Sequence, residues 1–278
     1  MMILYTSKSN QMNFYDDHRP AKLLRSAFSS IFYFTWTSGL IIGYSKSISA
    51  HAHILYGSTG VYILIFSLLT CKLVHKYEVI GYAVFLAGVA LMLTDPFAHK
   101  TGGVDEAWIG NSAAFIGAGF GAVLGILSTK NVRVQHPLVM MTHYFIFAVG
   151  LQMVVFPYLE DNPLFFSTDS QYGAFGWMTD INLILYLDGF VVPFTGIAAN
   201  VAFIYCYVYW PIEVICIAAL FEPFIAQFAG VMLGQDEIPG TRTLFGLLII
   251  SVGMVIASYG AKLKMISKIK SLLDENLN

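Results

Sequence analysis

Long apolar runs dominate the chain, and short polar segments separate them. Eight runs approach the roughly 17 to 25 residues that a helix needs to cross about 30 Å of hydrocarbon. The runs cover residues 26–46, 53–71, 79–94, 109–128, 138–158, 182–209, 212–234 and 243–262. None of them alternates apolar and polar residues as a lipid-spanning strand does, and a helix satisfies its own backbone hydrogen bonds in lipid. The pattern therefore predicts an all-α, polytopic membrane helix bundle of about eight transmembrane helices.

The amino-acid composition supports this fold class and argues against a soluble domain, a nucleic-acid-binding protein and a disulfide-rich scaffold. Hydrophobic residues make up 57% of the chain and charged residues 12%, whereas charged residues make up about 25% of a typical soluble domain. The net charge of −2 indicates no concentrated basic face, so nucleic acid is not expected as a partner. Three cysteines, an odd number, indicate no disulfide framework. We expect a lipid bilayer around the protein and no metal or other cofactor.

The basic residues predict the orientation of the helices, because short loops rich in lysine and arginine stay on the cytoplasmic side. With the amino terminus inside, 12 of the 15 basic residues fall on cytoplasmic segments. The other three are Lys46, Lys100 and Arg242. The distribution favours an even number of spans and places both termini, residues 1–25 and the basic tail 263–278, in the cytoplasm. It does not indicate which membrane holds the protein.

Two distant segments resemble each other when the chain is shifted by 165 residues. Gly81 then aligns with Gly246 and Gly88 with Gly253. In each copy the two glycines lie on one face of a helix and allow another helix to approach closely. The two copies are predicted to cross the membrane in opposite directions, which is typical of the inverted repeats of transporters. The alternative is two glycine-rich packing faces of separate origin.

A family resemblance rests on the second copy. The segment from Ala219 to Glu237, which contains Phe-Glu-Pro-Phe, is followed by Gly-Leu-Leu-Ile-Ile-Ser-Val-Gly at 246–253. Together they resemble the end of an EamA-type repeat of the drug/metabolite transporter superfamily. In the first copy Ser58 stands where Pro223 stands in the second.

The resemblance implies a ten-helix carrier built from two inverted halves of five helices. In this chain residues 26–94 would be an incomplete first repeat of three helices, and 109–262 a complete second repeat of five. Two amino-terminal helices of the family pattern are therefore expected to be missing. Whether this is a true truncation or an incomplete sequence is left open.

Glu222 is the most informative candidate residue, because a carboxyl group in mid-span costs roughly 2.5–3.5 kcal/mol on insertion scales. Pro223 follows it and leaves the Ala219 carbonyl without its helical donor. Glu222 is either a protonatable coupling site or partner of a cationic substrate group, or a protonated residue that bonds a neighbouring helix.

Other polar and aromatic residues in the predicted spans are candidate cavity residues. Asp188, Pro193 and Asn200 belong to the sixth run, and alternatively Asp188 reaches the outer interface while Asn200 links helices. Trp36 and Tyr62 would fall on helices that the resemblance places beside a substrate path. Packing or interfacial anchoring is the alternative for both aromatic residues.

Histidines and glycines complete the candidates. His51 and His53 are two positions apart and do not face one site on a helix, so metal binding is not expected. Gly117, Gly121 and Gly125 form a ridge that permits close helix packing, either within the chain or in a homodimer.

No catalytic or phosphate-binding motif occurs in the sequence, so an enzyme is not predicted. The favoured function is a secondary-type transporter that moves a small metabolite by alternating access. A truncated, non-transporting paralogue or membrane scaffold is the first alternative, and a membrane enzyme of unrecognised type the second. The sequence does not identify the substrate or the coupling mode.

Overall fold

The computed structural model describes residues 20–95, 107–160, 166–169, 175–186, 193–194, 196–219 and 240–277, with Glu222, Ile225, Phe228 and Met232. These residues form helices and turns and contain no β-strand. The prediction of an all-helical chain is confirmed for this part of the sequence.

The described residues form ten α-helices, numbered in chain order, and a 3₁₀ helix at Gly176–Thr179 precedes the seventh. They are α1 (Pro20–Lys46), α2 (Ser49–Gly57), α3 (Thr59–Leu69), α4 (Lys76–Leu93), α5 (Ala107–Asn131), α6 (Pro137–Glu160), α7 (Ile181–Tyr186), α8 (Ala199–Tyr209), α9 (Ile212–Ala219) and α10 (Thr241–Leu277).

Five helical stretches of the described chain are long and apolar enough to cross a membrane. They are Ala50–Leu69, Lys76–Leu93, Ala107–Asn131, Pro137–Val155 and Thr241–Ser267. Helix α1 has sufficient length, but its serine and threonine residues lower its mean hydropathy, and it is not among the five. The described helices thus support a membrane protein with several spans. Of the seventh predicted run, 212–234, the described residues are Ile212–Ala219, Glu222, Ile225, Phe228 and Met232.

Helix boundaries differ from the sequence prediction in two places. The second predicted span is divided at Ser58 into α2 and α3, which together make one apolar stretch. The predicted carboxyl-terminal tail is helical, because α10 continues beyond the apolar stretch to Leu277.

The chain forms two compact units. The first unit comprises Met1–Phe34 and Ile126–Trp210, and the second comprises Thr35–Gly125 and Pro211–Asn278. Two of the three divisions fall within α1 and α5, and the third lies between α8 and α9.

Buried polar side chains hold the first unit together. Ser26 Oγ donates a hydrogen bond of 2.9 Å to Gln135 Oε1, and Asn131 Nδ2 donates to Ser29 Oγ at 3.1 Å. Asn131 Nδ2 also donates to Tyr144 Oη at 3.2 Å. These bonds fix the first turns of α1 against the segment between α5 and α6.

The second unit has a continuous apolar core at which α4 and α10 meet. Phe85, Met92, Ile250 and Met254 are almost completely buried in it. Residues of α2 and α3 pack against the same core, including Ile54 and Leu64.

Helices α4 and α10 run antiparallel with their backbones in close contact. A Cβ atom built on Gly81 would lie 2.6 Å from the carbonyl oxygen of Gly253, and one on Gly88 would lie 2.7 Å from that of Gly246. Cβ atoms essentially never approach other atoms this closely, so the crossing requires glycine.

The buried faces of α4 and α10 follow the same pattern. The buried positions of α4 are Glu78, Gly81, Tyr82, Phe85, Gly88, Val89 and Met92. Each of them aligns, at the offset of 165 residues, with a buried residue of α10: Thr243, Gly246, Leu247, Ile250, Gly253, Met254 and Ala257.

A buried carboxylate lies at each end of this helix pair. Asp95 Oδ2 accepts hydrogen bonds from the backbone nitrogen of Thr243 at 2.8 Å and from Thr243 Oγ1 at 2.7 Å. At the other end, Glu78 Oε2 lies 3.7 Å from Lys264 Nζ. Polar contacts thus fix the register of the two helices at both ends.

Candidate functional site

Glu222, the residue singled out from the sequence, pairs with a histidine. Its Oε1 lies 3.3 Å from Nε2 of His53, on α2. The imidazole is 10% exposed, whereas the Glu222 side chain is 62% exposed. His53 Nε2 has no aligned hydrogen-bond acceptor among the described residues, so the contact is one of proximity between ionisable groups. One side of the carboxyl group is paired with an almost buried imidazole, and the other side is open.

The second ring nitrogen of His53 also has a partner. Nδ1 forms a hydrogen bond with the hydroxyl group of Tyr44, near the end of α1. Side chains from three parts of the second unit therefore form a continuous series of contacts: Tyr44, His53 and Glu222. We call this series of contacts the Tyr–His–Glu relay.

Two stacked aromatic rings lie beside the relay. The rings of Trp36 and Tyr56 are 4.8 Å apart at an interplanar angle of 8°. Tyr56 also meets the His53 ring edge to face at 6.3 Å. The predicted cavity residues Trp36 and Glu222 thus belong to one contiguous group, which His53 and Tyr56 connect.

A glycine makes room for the indole. A Cβ atom on Gly121 would lie 2.6 Å from Cδ1 of Trp36, and one on Gly117 would lie 3.2 Å from Cα of Gly39. The third glycine of the ridge, Gly125, is buried. At Gly117 and Gly121 the ridge therefore contacts α1 of the same chain and positions Trp36.

Tyr62 has a different role from Trp36. Its hydroxyl group donates a 3.0 Å hydrogen bond to the carbonyl oxygen of Phe115, and a Cβ atom on Gly119 would lie 3.1 Å from its ring. These contacts tie α3 to α5. No described contact joins Tyr62 to the relay.

The candidates of the sixth run lie in the first unit or outside the described residues. Asn200 Nδ2 donates to the Gly196 carbonyl oxygen at 2.7 Å, and Tyr33 Oη donates to Asn200 Oδ1 at 3.4 Å. Asn200 thus links α8 to α1. Pro193 lies in a short π-helical stretch. Asp188 and Pro223 lie outside the described residues.

The relay can hold a proton or bind a cation. A histidine and a glutamate in contact provide an imidazole nitrogen and a carboxyl group at which a proton or a cation can be held. The carboxylate attracts cations, and an aromatic face attracts them further when it lies nearby. The open side of Glu222 gives an external group direct access to the paired carboxyl group.

Sequence reasoning missed His53, Tyr44 and Tyr56. The two histidines of α2 were considered only as ligands of a shared metal site, which their spacing disfavours. The usable signal was a second ionisable residue at the start of an apolar run, which is expected to seek a polar partner.

Comparisons with known proteins add no relationship. No protein-family model matches the chain, and no curated protein matches it.

Proposed function

We propose that this chain is a secondary-type membrane transporter that moves a small metabolite by alternating access, as its resemblance to EamA-type drug/metabolite transporters implies. In this proposal the Tyr–His–Glu relay is the site at which substrate or proton is bound. Trp36 and Tyr56 provide an aromatic wall beside it.

The contact between His53 and Glu222 carries the proposal. Ionisable side chains within apolar helices are costly, and they occur mainly where they pair with each other or face a cavity. Here the carboxyl group contacts the imidazole on one side, and its side chain is 62% exposed. A residue that serves only helix packing is expected to be enclosed by its partners. The open side favours a binding or coupling role for Glu222.

The contacts of α4 with α10 support the inverted repeat. If the two helices are equivalent at the offset of 165 residues, Gly81 corresponds to Gly246 and Gly253 corresponds to Gly88. A Gly81–Gly253 contact then has a Gly246–Gly88 contact as its counterpart, and both contacts occur. By the same correspondence, the contact between Asp95 and Thr243 has a contact between Gly260 and Glu78 as its counterpart. Gly260 does lie against Glu78, because a Cβ atom on Gly260 would clash with the Glu78 backbone. This correspondence is expected where two antiparallel copies of one helix meet at a two-fold axis.

The proposed architecture has eight spans, three in the first repeat and five in the second, with both termini in the cytoplasm. The five apolar stretches and the distribution of basic residues support it. Alternating access would then arise as one repeat rocks against the other around the relay.

Transport by the purified protein in vesicles tests the proposal. Uptake of nucleotide sugars, amino acids, nucleosides and organic cations is measured with and without a pH gradient. For the substrate found, Glu222→Gln is expected to abolish the pH dependence of uptake while expression stays normal. Asp169→Asn, which neutralises an exposed carboxylate of the first unit, is the matched control. We expect this variant to retain the pH dependence of uptake.

Each alternative gives a different result. Full pH-dependent uptake by Glu222→Gln would remove the coupling role. The absence of uptake in all four classes, with correctly folded protein in the vesicles, would favour a scaffold. Chemical turnover of a membrane substrate by the purified protein would favour an enzyme.

A further inference from the structure

The first unit contains an apolar cleft that shares no residue with the relay. Its volume is about 390 Å³, within the roughly 300–1,000 Å³ of ligand-binding pockets. It lies where α1 meets α6. Its apolar walls come from Leu23, Leu138, Val139, Ile146 and Phe147.

The two polar residues of the lining do little to attract a polar ligand. The hydroxyl group of Thr142 donates to the Leu138 carbonyl oxygen at 2.9 Å. His143 Nδ1 lies 3.0 Å from Gln135 Nε2, and Gln135 in turn accepts from Ser26. These groups are engaged within the protein, so the cleft suits hydrocarbon.

Four basic residues lie in the two segments that adjoin the cleft. Lys22 and Arg25 flank Leu23 on α1, and Lys130 and Arg133 flank Asn131 at the end of α5. The bonds Ser26–Gln135 and Asn131–Ser29 bring these two segments together. Arg25, Lys130 and Arg133 are exposed.

The two described segments that carry these basic residues lack acidic side chains. Residues 20–34 and 126–148 contain no aspartate or glutamate. A cluster of basic residues beside a hydrocarbon-lined cleft is complementary to a ligand with an anionic head and an apolar tail.

We propose that this site binds an anionic phospholipid, with one acyl chain in the cleft and the phosphate held by Arg25, Arg133 and the neighbouring lysines. Basic pockets between helices at the cytoplasmic side of a membrane bind anionic headgroups by this combination of charge and depth. The residues fall at the predicted cytoplasmic boundaries of the first and fifth spans. Lipid binding at this site does not depend on whether the protein transports a metabolite.

Lipid retention measures the binding. The protein is equilibrated in micelles containing equal amounts of phosphatidylglycerol and phosphatidylcholine with identical acyl chains, and bound lipid is counted by native mass spectrometry. We expect retention of one phosphatidylglycerol in preference to phosphatidylcholine. Raising the salt from 0.1 M to 1 M is expected to weaken this preference, because the screening length falls from about 10 Å to about 3 Å.

Two variants separate the headgroup from the chain. Each cation near an anionic headgroup contributes about a fivefold change in affinity, so Arg25→Gln combined with Arg133→Gln is expected to reduce retention about 30-fold. Lys72→Gln combined with Lys76→Gln removes two basic residues of the second unit and is expected to have no effect.

Ile146→Trp fills the cleft and is expected to reduce retention of both lipids. Val154→Trp is its control, because it changes the same helix at a residue of equal exposure, 61%, outside the cleft. A melting temperature equal to that of the unmodified protein shows that a variant is folded.

Three results would overturn the proposal. They are equal retention of the two lipids, full retention by the double arginine variant, and full retention by a folded Ile146→Trp variant. Displacement of the lipid by soluble glycerol phosphate at an equal concentration would also overturn it, since the acyl chain would then contribute nothing.

Discussion

Gly81 and Gly253 meet backbone to backbone, and a Cβ atom on Gly81 would lie 2.6 Å from the Gly253 carbonyl oxygen. The obstructing atom is main chain, so neither helix can relieve the clash by rotating a side chain. The contact therefore sets the separation of α4 and α10, on which the core of the second unit is built.

Replacing Gly81 by alanine tests this contact. We expect Gly81→Ala to lower the free energy of unfolding by about 1–3 kcal/mol, the usual cost of overpacking. Gly150→Ala is the matched control, because Gly150 is also helical but has open space around its Cβ position. It is expected to be neutral or to stabilise α6 by up to about 1 kcal/mol. Thermal unfolding in detergent measures both, and equal effects would contradict the packing role.

The sequence predicted the glycine contacts better than it predicted their partners. Two glycines on one helix face indicate that something approaches closely, and this is a local property. Aligning the copies placed Gly81 on Gly246, whereas in the structure Gly81 contacts Gly253, because equivalent helices in opposite directions meet with reversed register. Which helix faces which is a property of the tertiary fold.

Prediction of the candidate site from the sequence has the same limit, because local patterns do not identify contact partners. The insertion cost of Glu222 alone indicated that it needs a partner. The partner, His53, lies far away in sequence, and no helical periodicity connects the two residues. The stack of Trp36 on Tyr56 likewise depends on two helices whose contact the sequence does not encode locally.

Asp95 is expected to stabilise the start of α10. Its Oδ2 atom accepts from both the backbone nitrogen and the hydroxyl group of Thr243, and Asp95 is 1% exposed. Asp95→Ala leaves these buried donors without an acceptor, which costs about 1–3 kcal/mol of unfolding free energy.

Asp95→Asn retains an acceptor oxygen and is the matched variant. It is expected to lose less than half as much stability in the same thermal unfolding measurement. A loss equal to that of the alanine variant would show that the negative charge, rather than the hydrogen bonds, is what stabilises the helix start.

Cys71 occupies a position suited to glycine. It has a φ angle of 50° directly after α3, where the backbone nitrogen of Lys72 donates to Ser67 and that of Cys71 donates to Leu68. These two bonds define a Schellman motif, in which glycine is preferred at the left-handed position.

Cys71→Gly is therefore expected to raise the free energy of unfolding by about 0.5–1 kcal/mol, because the steric cost of roughly 1–2 kcal/mol is removed and partly offset by chain entropy. Cys206→Gly is the control and is expected to destabilise, since Cys206 lies inside α8. A lower melting temperature for Cys71→Gly would contradict the strain at this turn.

The energetic coupling between His53 and Glu222 is expected to be measurable in a double-mutant cycle. His53→Gln, Glu222→Gln and the double variant are compared by thermal unfolding, and the loss in the double variant is expected to be smaller than the sum of the single losses. Because the Glu222 side chain is 62% exposed, the coupling energy should lie near about 0.5–1 kcal/mol. Combining Glu222→Gln with His136→Gln, a histidine of the first unit, is the control and should give additive losses. Additive losses for His53 and Glu222 as well would mean that their 3.3 Å separation contributes no interaction, and the relay would then lose its central contact.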